Sequence, residues 1–246
     1  KLFEEHLDIL FKEKGICEVE IAAFIAESFQ GWGALFYPED YIKALREWTR
    51  KREILLIFDE IQAGFGRCGK FFAYEHYNVN PDLVCCGKGV SGSVPLSAVL
   101  GRGDIIDLDP AYTSTHGGHP LACAAGLANL EIFENENLVD EAARKEGIFR
   151  NHIEDWKARF PQNIGRFYGR GCLFGVFIIR TNDPDNPYNL NTELCDQIVE
   201  ESMRKGVFLI RTGRGTLKFG PPLNIPDSAL TEALEVIRET IDDLLG

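Results

Sequence analysis

ILLIFDEIQAGFGRCGK (residues 54–70) runs five apolar residues straight into Asp59 and Glu60, then into a loop broken by glycines. An unbroken apolar run of that length, rich in β-branched residues, predicts a strand covered on both faces, as in a parallel sheet. Working outward, EIAAFIAES (20–28) reads as a second buried strand, and DLVCCGK (82–88) and PLSAVLG (95–101) as two more. Between the first two lies PEDYIKALREWTRK (38–51). Its Pro38, early acidic residues and apolar stripe at Tyr41, Leu45 and Trp48 predict a helix. Strand, helix and strand, followed by strands on short loops, predict an α/β layer with a largely parallel sheet.

In such a sheet, ligands bind at the carboxyl ends of the strands. Asp59 stands at one such end and Lys88, in CCGKGVSG, at another. Glycines follow both, and we expect them to let a ligand approach the backbone. From spacing alone the two residues read equally well as an ion pair or as solvated loop ends. Glu60 is expected to face the other way, in a structural bond, and Arg67 to anchor the GFGR loop.

Residues 3–13, 119–138 and 141–160 predict helices. Beyond about residue 163 the rhythm changes. Short strands (IGRFYGRG, CLFGVFII, VFLI, TLKFG) alternate with two helices, the last striped at Leu230, Leu234, Ile237, Ile241 and Leu244. That pattern predicts a smaller α+β domain, so we divide the chain into residues 1–135 and 136–246.

The chain has 246 residues, 45% of them hydrophobic, and a formal net charge of −12. Acidity argues against nucleic acid. No apolar run approaches the ~20 residues of a membrane span, and the N-terminus lacks the pattern of a signal peptide. These features are read as a soluble, cytoplasmic protein. The seven cysteines are scattered, odd in number and without a CxxC pair, which argues against a metal site or disulfide framework. Most are expected to be small core residues.

FDEIQAGFGR, PDLVCCGKGVSGSVPLSAVLG and TSTHGGHPLACAAGLA together resemble the class III, fold-type I aminotransferases that use pyridoxal 5'-phosphate. The likeness extends upstream to AAFIAESFQGWGALFYP and downstream to LKFGPPLNIP. It implies the large cofactor-binding domain of that fold, a mainly parallel sheet flanked by helices, incomplete, plus the small C-terminal α+β domain. It implies a Schiff base between Lys88 and the cofactor aldehyde, and Asp59 holding a proton on the pyridine nitrogen. Gln62 is implied near the ring, and Thr115 at the phosphate, across the interface of a homodimer with shared sites.

Glu27 and Gln30 match the family's E-P-x-Q-G segment, with Ser28 in place of the proline and Trp32 after the glycine. Glu27 is implied beside the substrate; Trp32 reads as a pocket wall or as core packing. Many members carry an arginine before the P-P-L motif to clamp a substrate carboxylate. Here that place holds Lys218, a point charge rather than a fork. Arg211 and Arg214 stand upstream as substitutes, or all three are surface charges. His116 and His119 read as loop residues, and no metal is expected.

The family's phosphate-cradling turn and ring-stacking aromatic residue are not found in this sequence, so the resemblance implies a chain without the family's N-terminal part. The reaction implied is ping-pong transfer of an amino group from a primary amine or amino acid to a keto acid. The alternatives are a racemase/epimerase, mutase or decarboxylase of the same family, or an inactive fragment that needs its missing N-terminal region.

Overall fold

The structure is a computed structural model that describes residues 2–109, 111, 113–181, 183, 186 and 188–246. The chain forms two compact units. The first holds Lys1–Ser28, Tyr37–Gly64 and Phe72–Asn135; the second holds Phe29–Phe36, Phe65–Phe71 and Glu136–Gly246. The short stretches 29–36 and 65–71 therefore group with the second unit, although the sequence reading leaves them within 1–135.

In the first unit, strands β1 (Ala23–Glu27), β4 (Leu55–Asp59), β5 (Leu83–Cys86) and β6 (Ala98–Gly101) form one sheet in the order β1-β4-β5-β6. β1, β4 and β5 run parallel, and β6 is antiparallel to β5. The register is regular: Glu27 lies opposite Asp59, Asp59 opposite Cys85, and Cys85 opposite Val99. Because side chains alternate along a strand, this row shares one face, and Ala26, Phe58, Val84 and Leu100 share the other.

The second of these faces is covered. Helix α2 (Glu39–Lys51) buries Ile42, Leu45, Trp48 and Thr49. Phe58 stacks on Tyr74 and Tyr77 at 5.9 and 6.4 Å between ring centres. The buried stripe of α2 starts at Ile42; Tyr41, expected in it, is turned outward against Phe3 and Tyr37. The other face is more open. Ile25, in the middle of β1, is 61% exposed. The unbroken apolar run in β1 thus does not correspond to burial on both faces. β1 is also shorter than expected, because residues 18–20 form a turn of 3₁₀-helix ahead of it.

Glu60 is fully buried on the covered side. Its carboxylate accepts hydrogen bonds from the Ser28 hydroxyl, from Ala73 N at 2.9 Å and from Tyr74 N at 2.8 Å. It ties the end of β1 and the turn at 73–77 to the end of β4. Burial raises its pKa above the ordinary 4.5, against the lowering by those three donors. At the opposite end of the strands, Asp82 takes a bidentate grip from Arg46, at 2.6 and 3.1 Å, and a bond from Leu56 N at 2.8 Å.

In the second unit, β7 (Ile164–Arg170), β8 (Leu173–Ile178), β10 (Thr216–Phe219) and β9 (Ile210–Arg211) make an antiparallel sheet. Helices α5 (Leu138–Arg159), α6 (Thr192–Arg204) and α7 (Asp227–Leu245) close a core of Phe149, Trp156, Phe174, Val176, Leu217 and Leu234. On the far side lies the two-stranded hairpin of β2 (Phe29–Gln30) and β3 (Leu35–Phe36). Every residue of β8 is buried, because helices cover one face and the hairpin presses on the other at Gly175. A Cβ there would collide with Ala34 O and lie 2.5 Å from Ala34 Cβ.

Two measurements follow from this packing. Gly175→Ala should lower the urea midpoint by an amount equivalent to about 1–3 kcal/mol, the usual cost of overpacking; an unchanged midpoint would show that the hairpin does not press on β8. For Glu60, a raised folded pKa means that its contribution to stability is complete below pH 4.5 and is lost as pH rises through the folded value. The stability gap between wild type and Glu60→Gln should therefore narrow as pH rises from 4 to 8. A gap that widens instead would mean that the ionised carboxylate is the form held.

Candidate active site

The site is built at the carboxyl ends of β4 and β5. Asp59 is the last residue of β4 and faces the open side of the sheet, flanked in register by Glu27 and Cys85. Its Oδ1 accepts a 2.9 Å bond from Ile61 N, which fixes the carboxylate against the backbone of its own turn. Among the described residues, Oδ2 accepts no hydrogen bond. That oxygen remains for a cation.

Lys88 follows the end of β5 by two residues, and its side chain is exposed. Its φ is +42°, in the left-handed region that residues with a Cβ rarely adopt. Strain of this kind persists only where the surroundings over-determine the backbone, and here they do. Gly87 brings the chain so close to Ile61 that a Cβ would stand 3.1 Å from Ile61 Cγ2. Gly89 O accepts a 2.7 Å bond from Asn129 Nδ2 on helix α4 (Pro120–Asn135). One turn thus carries the bond to Asp59 and the contact that seats Lys88.

The glycines do something other than expected. Gly64 packs on Glu60 O, and Gly69, at φ +73°, leaves 2.9 Å between a would-be Cβ and Ala143 Cα. A Cβ at Gly171 would lie 2.5 Å from Gly69 N. They admit neighbouring backbone, not a ligand, and they hold the 65–71 loop within the second unit. Arg67 anchors that loop through a bond to Pro221 O, and its own carbonyl accepts from Cys172 N at 3.0 Å.

The remaining candidates fall in three places. Gln62, half-buried, and Thr115, exposed in the turn before α4, belong to the first unit with Glu27, which is also exposed. Among the described residues, Thr115 makes no hydrogen bond to Lys88 or Asp59. Trp32, Lys218 and Arg211 belong to the second unit. Lys218 Nζ donates to Gly31 O at 3.0 Å and stands 5.7 Å from the Phe29 ring centre. Arg211 is ion-paired with Asp196 and donates to Thr212 O at 3.2 Å. Both cations are engaged within the protein.

Cys85 escaped the sequence reading. Most of the cysteines are expected in the core, yet this one lies part-buried in the same row as Asp59. Burial, then the Asp59 charge, pushes its thiol up, so it stays uncharged beside the carboxylate. Only the register reveals this; one position further, Cys86 is buried on the other face near Glu60, its thiol pushed up to about 11. Cys17 and Cys123 are exposed, so four of the seven cysteines are core residues.

An accessible amine and a carboxylate with one oxygen to spare, on adjacent strand ends, are the donors that a pyridine ring bearing an aldehyde requires. The residues present fit pyridoxal 5'-phosphate at those two points. Among the described residues, no group of three or more His, Cys, Asp or Glu is arranged to hold a metal, and no helix is long and apolar enough to cross a membrane.

A family model described as aminotransferase class III matches residues 3–241. The chain is 33% identical over 238 residues to a 4-aminobutyrate aminotransferase of Mycobacterium leprae, covering 94% of this chain and 52% of that protein. It is 35% identical over 230 residues to an alanine/serine racemase of Pyrococcus horikoshii, covering 92% and 47%. An S-selective transaminase from Arthrobacter superposes with a TM-score of 0.86 at 30% identity, over 98% of this chain and 55% of that one. The chain spans about half the length of the relatives it matches. With β4 ending on Asp59 and β5 leading to Lys88 in the order of the family's motifs, it belongs to the class III aminotransferases, a family dependent on pyridoxal phosphate.

Proposed function

We propose that this chain is part of an aminotransferase that moves an amino group from a primary amine or amino acid to a keto acid in a ping-pong cycle. The observation that carries the reading is the pairing of Asp59 and Lys88 on adjacent parallel strand ends, with Lys88 held in a left-handed backbone. When bound, pyridoxal 5'-phosphate supplies an aldehyde that condenses with amines and a ring that takes up electrons.

The chain's own residues then have distinct tasks. Lys88 would hold pyridoxal 5'-phosphate through its Nζ, and as a free amine it would move a proton to and from the substrate carbon that bears the nitrogen. Asp59 Oδ2 keeps the ring nitrogen protonated, and Ile61 N keeps that carboxylate oriented. The neutral Cys85 thiol adds no second negative charge beside it. Gln62 would lie by the ring and Thr115 would take the phosphate, as the resemblance implies. The resemblance assigns Glu27, Trp32, Lys218 and Arg211 to the substrate; Lys218 would have to leave Gly31 O and Arg211 would have to leave Asp196 to reach it. A homodimer with shared sites and a cytoplasmic location complete the reading; the first rests on the resemblance, the second on composition.

A second reading keeps the cofactor and changes the outcome. The likeness to an alanine/serine racemase supports it, since Lys88 and Asp59 serve the cofactor in either reaction. A requirement for a keto acid during turnover separates the two.

The test begins with the absorbance of the full chain mixed with pyridoxal 5'-phosphate, then borohydride reduction and peptide mapping. We expect a single label at Lys88, absent in Lys88→Ala. Labelling spread over surface lysines would remove the assignment. Asp59→Asn should keep the label yet slow the reaction with amine by about 10²-fold or more; an undiminished rate would dismiss its role at the ring nitrogen.

A further inference from the structure

We propose that Asn129 of helix α4 is a positioning residue for Lys88. Both ends of its side-chain amide grip the turn at 88–92, and that grip fixes the direction in which the Lys88 amine leaves the chain. Residues 120–130 are Pro, Leu, Ala and Gly apart from Cys123 and Asn129. Asparagine is a poor residue for a helix interior, because its amide competes for backbone hydrogen bonds. Here the amide is engaged across the helix face instead. Nδ2 donates to Gly89 O at 2.7 Å. Oδ1 is turned to Gly92, where a Cβ would stand 3.0 Å from it. A carbonyl oxygen only accepts, so this orientation of the amide is the one that bonds.

Gly126, three residues earlier, admits the same loop. A Cβ there would lie 3.0 Å from Leu96 Cδ2 and 3.6 Å from Val90 O. Residues three apart are neighbours on a helix face, so Gly126 and Asn129 form one socket. Helix, loop and Lys88 all belong to the first unit.

The turn needs that socket. Lys88 and Gly92 have φ of +42° and +69°. Gly92 adopts such a backbone freely, whereas Lys88 does so at a cost. The turn's own bonds are longer: Val90 N donates to Gly87 O at 3.1 Å and Gly92 N to Lys88 O at 3.3 Å. The bond from Asn129 is shorter than either and comes from outside the turn. Gly89, without a Cβ, does little to restrain rotation by itself. With the bond gone, Gly89 is free to turn and Lys88 to return to an ordinary backbone region. Its Cα–Cβ bond then swings away from its present direction. The inference rests on the aminotransferase reading for Lys88 being the residue that holds the cofactor.

Asn129→Leu keeps the size of the side chain and removes the donor. Amide hydrogen exchange is measured first, on the full chain without cofactor. Protection of the Val90 and Gly92 amides should fall about tenfold, with β5 unchanged. Pyridoxal 5'-phosphate is then added, and borohydride reduction with peptide mapping follows the rate of labelling at Lys88, which should also fall about tenfold. Asn129→Asp supplies a readout that general loosening of the helix does not imitate. Ionised at pH 8, it has no donor and should match the leucine variant. Protonated at pH 4, it donates to Gly89 O again, and protection should recover there while the leucine variant stays loose. Should the leucine variant fail to fold, Asn129→Asp compared at the two pH values decides alone. Unchanged protection in Asn129→Leu, or the same loss at both pH values in Asn129→Asp, overturns the socket. A loosened turn with undiminished labelling of Lys88 overturns the positioning role. A wild-type chain with no label at Lys88 overturns the aminotransferase reading instead, and the exchange data still decide the socket.

Discussion

Two adjacent carboxylates at the end of one strand carry opposite duties because a β-strand alternates its side chains. Asp59 and Glu60 differ by one position and so face opposite sides of the sheet. Glu60 is driven into the covered face, where a bare carboxylate would be very costly, and three donors from two places in the chain meet it there. That buried knot fixes the end of β4. With the end fixed, Asp59 has a defined orientation, and Ile61 N needs only one of its oxygens. The Asp59 carboxylate has a fixed place because its neighbour is fully occupied.

The same logic extends to Lys88. Its backbone is strained, and strain needs support from outside the residue. Gly87 against Ile61 and Asn129 against Gly89 O supply it. The turn after β4 and the loop after β5 are thus one packed element. A side chain on Gly87 would push Lys88 away from the strand end that carries Asp59.

Surface and composition tell a consistent story about the first unit. Helix α4 is rich in alanine and leucine yet buries only Ala122, Gly126 and Phe133. Leu121 and Leu127 stand in solvent beside an open sheet face with Ile25 and Val99 exposed. A helix that is apolar all round normally lies inside a protein.

Much of this was legible in the residues. Apolar runs ending in Asp59 and leading to Lys88 announce strands with ligands at their carboxyl ends, since burial and periodicity are local properties of sequence. The stripes of the last helix and of α2 were legible for the same reason, apart from a shift from Tyr41 to Ile42. The family's motifs named the chemistry. Other features depend on which segments meet, and no local pattern encodes that. The glycines after Asp59 looked like room for a ligand, but Gly64 packs on Glu60 O and Gly69 on Ala143. Cys85 looked like core until the register set it beside Asp59. Ser28 looked like a lost proline until it proved a donor to Glu60. Trp32 reads as wall or core in the sequence, and only the fold lays it on Gly213, 181 residues further along the chain. The sequence by itself determined most of the elements, the standing of Asp59 and Lys88 at strand ends, and the family. Tertiary structure alone decided what each glycine admits, which carboxylate is used up and which is spare, because those outcomes follow from contacts between distant segments.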